Sequence, residues 1–454
     1  MEEKILELFE NKKFTQLKEV MSETNPVDLA AVLEEVEVHE RPKFFRIMPK
    51  ELASEVFALI DSELQEQLIT GFSDSELRAL MSDLFLDDTV DIIEEMPANI
   101  AKRILKQADK ATRNMINQLL NYPEYSAGSI MTTEYIDLKK HNTVADAFAK
   151  IRRVGVDSET INICYVTDAK RRLLGFLTIR TLLLAEPEQS IEELMETNII
   201  FANTLDDREE VVHLFDKYDL LAIPVVDAEN RLVGIVTVDD AIDVLQEEIT
   251  EDIKKSAAIT PSDKPYFKTG VITTFLARVP WLLLLMLSAT ITGVIISGFE
   301  NSLSSNVIYG IALTCFMPMI MGTAGNSGSQ SSVTIIRALS LGEVEFSDVL
   351  SVLWKEIRVS LLCGITLGAV NFVKVYLIDN LLLGGEYSFL VISVVSITLV
   401  ITVVMAKFVG SVLPILSKKI GLDPAVMASP LITTVVDALS LLVYFKIASV
   451  LLGI

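Results

Sequence analysis

Asp437 stands about two turns into the last apolar stretch of the sequence, in SPLITTVVDALSLLVYF. A carboxylate at membrane depth is unfavourable by several kcal/mol unless it meets a polar cavity, a cation or a partner of opposite charge. Thr433 precedes it by one turn, at i−4, so its oxygens can face the same path. Lys446 lies nine residues further on, on a different part of the helix. A cation site follows, with pairing across helices as the plainer alternative. Two chains meeting about an axis would set two such carboxylates against one divalent ion.

A second concentration of acid is far larger. Asp206, Asp207, Glu209, Glu210, Asp216 and Asp219 precede a strand pair, and Asp239, Asp240, Asp243, Glu247, Glu248, Glu251 and Asp252 follow it. Asp240, Asp243 and Glu247 fall at i, i+3 and i+7, one helix face. Like charges so arranged destabilise one another unless a hard divalent cation neutralises them, and oxygen ligands are what magnesium takes. The plainer reading is a solvated helix face. A third place is PMIMGTAGNSGSQSS, Pro318 to Ser332, where an apolar segment gives way to small and hydroxyl residues. Irregular or closely packed backbone at membrane depth is tolerated where it meets protein or a water-filled path. Asn326 and Gln330 favour a polar lining; a small-residue helix contact without a role in permeation is the alternative.

These residues need elements to hold them. Five apolar segments, roughly Thr274 to Ser297, Val307 to Met321 with its Gly-rich continuation, Val359 to Ile378, Phe389 to Lys407 and Leu431 to Ile454, can each reach the ~20 residues of a bilayer crossing. With the N-terminus inside, Arg337, Lys355 and Arg358, then Lys407, Lys418 and Lys419, fall in inner loops, while the outer loops hold Glu300, Asp379 and Glu386. That bias places the N-terminus in the cytosol and the C-terminus outside. The opening MEEKILELFENKKF carries acids and no apolar core, so it does not read as a signal peptide.

Between about Pro26 and Tyr122, short amphipathic helices start every 10 to 13 residues, punctuated by Pro or capping residues, as in PVDLAAVLEEV, PKELASEVFALI and SDSELRALMSDLF. Helices that short stack into a superhelix to bury their faces. After NYPEYSAGS a strand pattern occurs twice, as CYVTDAKRRLLGFLT from Cys164 and IPVVDAENRLVGIVT from Ile223, 59 residues apart.

Charge divides the same way. From Val271 on, nine basic and nine acidic groups cancel, so the whole net charge of −23 lies before the apolar segments. Such an excess repels nucleic acid and anionic surfaces and gathers cations. Cys164, Cys315 and Cys363 are far apart and read as buried free thiols, and His39, His141 and His213 form no zinc pattern. No nucleophile with its base, phosphate loop or redox motif appears, so no enzyme is expected.

The doubled strand pattern, over roughly residues 129 to 250, resembles a tandem pair of cystathionine-β-synthase (CBS) domains. Such pairs often bind adenine nucleotides, with an Asp after the Gly-x-x-Thr turn on the ribose. That place is Thr181 in the first copy and Asp240 in the second, so ATP is a candidate ligand with one cleft lacking its acid. A membrane-anchored adenine-nucleotide sensor acting on a partner is therefore the rival function.

Taken whole, the chain resembles the MgtE family of magnesium channels and transporters, most specifically in GTAGNSGSQS, in GLDPAVMASPL with the Asp437 helix, and in VDDAIDVLQEEITED. Where the family pattern usually has a second Gly and Thr-Gly-Asn, this chain has Ala324 and Ser327-Gly328-Ser329. The resemblance implies a multidomain membrane protein. Its expected parts are an all-α superhelical N-terminal domain over 1–127, an α+β CBS pair over 128–250, a connecting helix and linker over 251–272, and five transmembrane helices over 273–454. It implies a homodimer in the plasma membrane with the pore between subunits and hydrated magnesium recognised at Asp437. It further implies a magnesium sensor made of Asp87, Asp207, Glu209, Asp219, Asp240, Asp243, Glu248, Glu251 and Asp252, with Asp423 at the cytosolic mouth. Magnesium bound there would hold the pore shut, and its loss would let the acids repel and the pore open.

Overall fold

The computed structural model describes residues 2–262, 266–267, 269–300, 307–427 and 429–453. Parts of the linker and Ala428 of the GLDPAVMASPL run lie outside these. The chain forms two compact units, Met1–Gln246 and Glu247–Ile454.

The first unit opens with α1 (Glu2–Glu10), α2 (Phe14–Ser22), α3 (Pro26–Glu35), α4 (Arg41–Phe45), α5 (Lys50–Leu59), α6 (Ser62–Gly71), α7 (Asp74–Met81), α8 (Leu86–Glu95), α9 (Ala98–Gln107) and α10 (Lys110–Leu119). Asn25, Asp61, Ser73 and Asp109 each accept a bond from a first-turn amide, Pro26 follows the Asn25 cap, and Pro49 and Pro97 mark other starts. Helices of this length are marginal alone. They pack on the next but one, α1, α3, α5, α7 and α9 along one row and α4, α6, α8 and α10 along another. This is the expected superhelical stacking, cored by Leu17, Met21, Leu29, Phe44, Phe57 and Leu68.

Two copies of one α+β motif follow. In the first, β1 (Ile136–Lys139) pairs parallel with β2 (Ile163–Thr167), which pairs antiparallel with β3 (Leu173–Thr178). In the second, β4 (Ala202–Asn203), β5 (Ala222–Val226) and β6 (Leu232–Thr237) repeat the order. Helices α11 (Val144–Val154), α12 (Ile179–Leu184), α13 (Ile191–Leu194) and α14 (Arg208–Tyr218) pack about them. The copies meet through reciprocal bonds, Leu173 N–H to Asn230 O at 3.0 Å and Leu232 N–H to Arg171 O at 2.9 Å. Each residue of one bond is 59 positions from its counterpart in the other, which is the pseudo-twofold relation made explicit. Gly175 is required by approach: a Cβ there would sit 2.5 Å from the Glu196 carbonyl oxygen. Helix α15 (Val238–Ser256) leaves the second copy and continues into the second unit.

Among the described residues, the second unit holds five helices long and apolar enough to cross a membrane. These are α16 (Val271–Gly298), α17 (Val307–Ser340), α18 (Val349–Lys374), α19 (Phe389–Lys419) and α20 (Ser429–Leu452). α19 is central, packing on α17, α18 and α20. Three expectations change. The Pro318 to Ser332 stretch is uninterrupted helix rather than irregular backbone, because its small residues serve packing. A Cβ on Gly410 would collide with the Gly328 carbonyl oxygen, so α17 and α19 touch backbone to backbone there. Lys407 lies not in a loop but inside α19, 6% exposed, since the helix runs on to Lys419. Cys164 is buried, but Cys315 is exposed on its helix. At the far end of α18, Lys374 pairs with Asp379 at 2.7 Å.

Gly410→Ala is expected to destabilise the second unit by roughly 1–3 kcal/mol through overpacking. Gly322→Ala, with nothing within 4 Å of the added carbon, should leave the melting temperature of the detergent-solubilised protein unchanged; equal melting of the two variants would refute this contact.

Candidate functional site

Among the described residues, carboxylates that could meet a cation lie in three places. The first lies where α8 meets the strand domain. Phe85 starts α8, so Asp87 and Asp88 fall in its first turn and Asp91 one turn on. Glu134 accepts a bond from Leu86 N–H at 3.1 Å, and the backbone bond from Glu159 N–H to Glu134 O, 2.8 Å, brings in Glu159. One carboxylate oxygen from each of Asp87, Glu134 and Glu159 lies within 4.8 Å of the others. Asp240, in the first turn of α15, accepts a 2.6 Å bond from the Thr237 hydroxyl and adds its charge.

Apolar packing enforces this crowding. Leu86, Val90 and Ile93 of α8 share one core with Val236, Ala241 and Val244. Burial, then the charge of Asp88, pushes the Asp87 carboxyl up to about 6. Burial, then Asp240 and Asp239, takes Asp88 to about 6. Burial against a Thr237 bond that works the other way, with Asp87 and Asp239 adding, takes Asp240 to about 7. Burial, then Asp87, Asp239, Asp240 and Asp88, takes Glu159 to about 8. Asp91, on the more open face of α8, moves the same way. At an effective dielectric near 20, two carboxylates ~5 Å apart repel by about 3 kcal/mol. Three converging hard oxygens, which one small divalent ion can bridge, suit magnesium or calcium and not a soft metal.

The second place is in the other unit. Gly421, at φ +77°, turns the chain into Leu422 and Asp423, whose Oδ1 accepts from Ala425 N–H at 2.8 Å. Its Oδ2 lies 2.7 Å from Lys255 Nζ, and that ammonium also pairs with Glu251. Half-buried Asp252 is raised by burial and then by Asp423. Lys255 is held up by Asp423 and Glu251 against the burial that lowers it.

The third place is within the apolar helices. A Cβ on Gly325 of α17 would lie 2.5 Å from Thr433 Cγ2 and 3.3 Å from Asp437 Oδ1, so the missing side chain makes room for both. Asp437 Oδ1 is buried without a hydrogen-bond partner among the described residues, as is Ser440 Oγ one turn on. Asn326 and Gln330, at i and i+4, are exposed along α17.

Three regions of the chain match family models: residues 24–125 the MgtE intracellular N domain, 127–188 and 191–247 the CBS domain, and 317–447 the MgtE divalent cation transporter domain. A magnesium transporter MgtE of Thermus thermophilus is 37% identical over 96% of this chain and 95% of its own length. The chain belongs to the MgtE family. One from Bacillus subtilis is 35% identical over 98% of this chain and 96% of its own. Among solved structures, the cytosolic domain of the Mg2+ channel MgtE in complex with ATP matches with a TM-score of 0.52 at 35% identity, covering 54% of this chain and all of that one. This is a family of transporters and channels.

Against this family frame, the structure brings Asp87 and Asp240 together, joins Glu251, Asp252 and Asp423, and sets Thr433 beside Asp437. Asp243 adds charge near Asp240 but is itself exposed, and Glu248 lies near Asp252. Asp207, Glu209 and Asp219 have local settings: Asp207 caps α14, Glu209 lies 3.8 Å from His213 Nε2, and Asp219 ends α14 at φ +51°. Asp88, Asp91, Glu134 and Glu159 are additions. The DDTVD run of α8 offered a signal for the first two; Glu134 and Glu159 sit in loops with no periodicity to reveal them.

A raised carboxyl binds more protons folded than unfolded, so stability falls as pH rises from the ordinary carboxylate range, near 4, through the folded values. Without divalent cation, the thermal transition of the first unit in the solubilised full chain should fall between about pH 5 and 8. Saturating Mg2+ should flatten that slope; a slope indifferent to Mg2+ would count against cation binding here.

Proposed function

We propose that the chain carries Mg2+ across the plasma membrane through a path at Asp437 and that Mg2+ on the cytosolic side closes it. The observation that carries the reading is the Asp437 carboxylate, placed in a membrane-length helix against Gly325 and Thr433 with one oxygen buried and unpartnered. Magnesium gives up its water reluctantly, so a hydrated ion that accepts one or two carboxylates suits this place. The exposed Asn326 and Gln330 support a homodimer in which a polar face of α17 lines the path. The relatives named as magnesium transporters support the choice of ion.

The acids of the first unit, with Asp207, Glu209 and Asp219, serve as sensor on this reading, and Glu248, Glu251, Asp252 and Asp423 as the mouth. Bound Mg2+ favours the closed form because that form gathers the carboxylates. The orientation is N-terminus in the cytosol and C-terminus outside, the domains those expected from the sequence, and no catalytic step is assigned. ATP is a second regulatory ligand held by the CBS pair at Asp240, supported by the relative described with ATP. Lys255 holds the mouth acids as a tethered cation.

In liposomes with low Mg2+ on the cytosolic face, Asp437→Ala should abolish the Mg2+ flux of the wild type. Wild type that is well folded, binds ATP tightly and passes no Mg2+ would favour the membrane-anchored nucleotide sensor. Lys255→Met should lower the Mg2+ concentration that half-closes the path by about two- to fivefold, the worth of one part-exposed ion pair; a rise instead would show that Lys255 holds the closed form.

A further inference from the structure

The second unit buries a charge that the permeation reading does not use. Lys407, in the interior of α19, is 6% exposed, and its ammonium donates to Ser331 Oγ of α17 across 3.4 Å. Ser331, 2% exposed, donates in turn to Glu356 Oε2 of α18 at 2.7 Å. One hydroxyl therefore relays a bond between an ammonium and a carboxylate, and three helices meet at it. A charge as buried as that of Lys407 is unfavourable unless it is paired and hydrogen-bonded.

The relay's place on α17 points to that role. Gly325, Gly328 and Ser331 follow at i, i+3 and i+6. Gly325 faces Thr433 and Asp437, Gly328 meets Gly410 of α19 and Val436 of α20, and Ser331 takes Lys407. Lys407 and Gly410 are likewise i and i+3 on α19. The glycine contact lets α17 approach, but a glycine pair fixes neither rotation nor height. A directional bond through Ser331 does.

We propose that Lys407 and Glu356, through Ser331, are positioning residues for the Asp437 site, holding α17 in the rotation and height that present Gly325 to that carboxylate. The pair is also neutral as a unit. Removing Glu356 alone leaves an ammonium that repels a permeating cation, whereas removing Lys407 alone leaves a carboxylate that does not. The two single variants should therefore differ in sign at the ion.

This assignment rests on the Asp437 reading, and Mg2+ flux in liposomes, with Asp437→Ala beside it, separates the two. Lys407→Met and Glu356→Gln should each lower flux roughly tenfold or more, since the first leaves half-buried Glu356 without its relay and the second strands the buried ammonium of Lys407. The double variant K407M/E356Q should recover to within about threefold of wild type, and Lys407→Arg should retain most of the flux. Glu356→Gln should raise the half-saturating Mg2+ concentration and Lys407→Met should not, a split that a merely structural role would not produce. If a single variant fails to fold, the charge-balanced double and Lys407→Arg carry the test. Near-normal flux in Lys407→Met, or a folded double no better than the singles, overturns the proposal while Asp437→Ala stays inactive. Flux that survives Asp437→Ala overturns the reading beneath it.

Discussion

Repulsion between carboxylates that apolar packing forces together is the constraint on which the first unit turns. Leu86, Val90 and Ile93 pull α8 into the same core as Val236 and Val244, and that packing carries Asp87 and Asp88 toward Asp240 and Glu159. The hydrophobic gain is non-directional and carries no titrating group, whereas the carboxylate term changes with every proton or cation supplied. The attachment of α8 is therefore conditional. Burial sets the geometry, and the solution decides how favourable that geometry is.

The apolar helices meet the same problem with different chemistry. There the carboxylate of Glu356 has a relay to Lys407, and helices approach where glycine removes the side chain, at Gly328 with Gly410 and at Gly368 against Val400 and Ser396. Asp437 differs from Glu356: its Oδ1 is buried with no hydrogen-bond partner among the described residues. An arrangement that satisfies Glu356 and leaves Asp437 open is what a path for cations needs, because a carboxylate already neutralised by lysine has little left to offer an ion.

Much of this was legible in the residues. The 59-residue repeat fixed two copies of a strand motif, and the structure turns it into reciprocal bonds between Arg171, Leu173, Asn230 and Leu232. Proline and capping residues located the short helices because their physics is local. Asp437 was visible because hydropathy makes one carboxylate conspicuous. Glu134 and Glu159 were not, since loop residues meet only through tertiary packing. Lys407 escapes for a related reason: hydropathy ends a span at the first lysine, while the helix continues for twelve residues and the Ser331–Glu356 relay takes up the buried charge.

On the proposed reading, the contrast between the crowded and the solitary carboxylates fits what each place would do. Several converging acids bind a divalent ion firmly and release it only when its concentration falls, which suits a sensor. A path must admit the same ion and let it leave, so binding there has to stay weak. On the proposed reading, one aspartate per chain with Thr433 beside it keeps the number of unneutralised oxygens low. Adding a second free carboxylate beside Asp437 would deepen the well in which the ion sits, and passage would slow even as affinity rose.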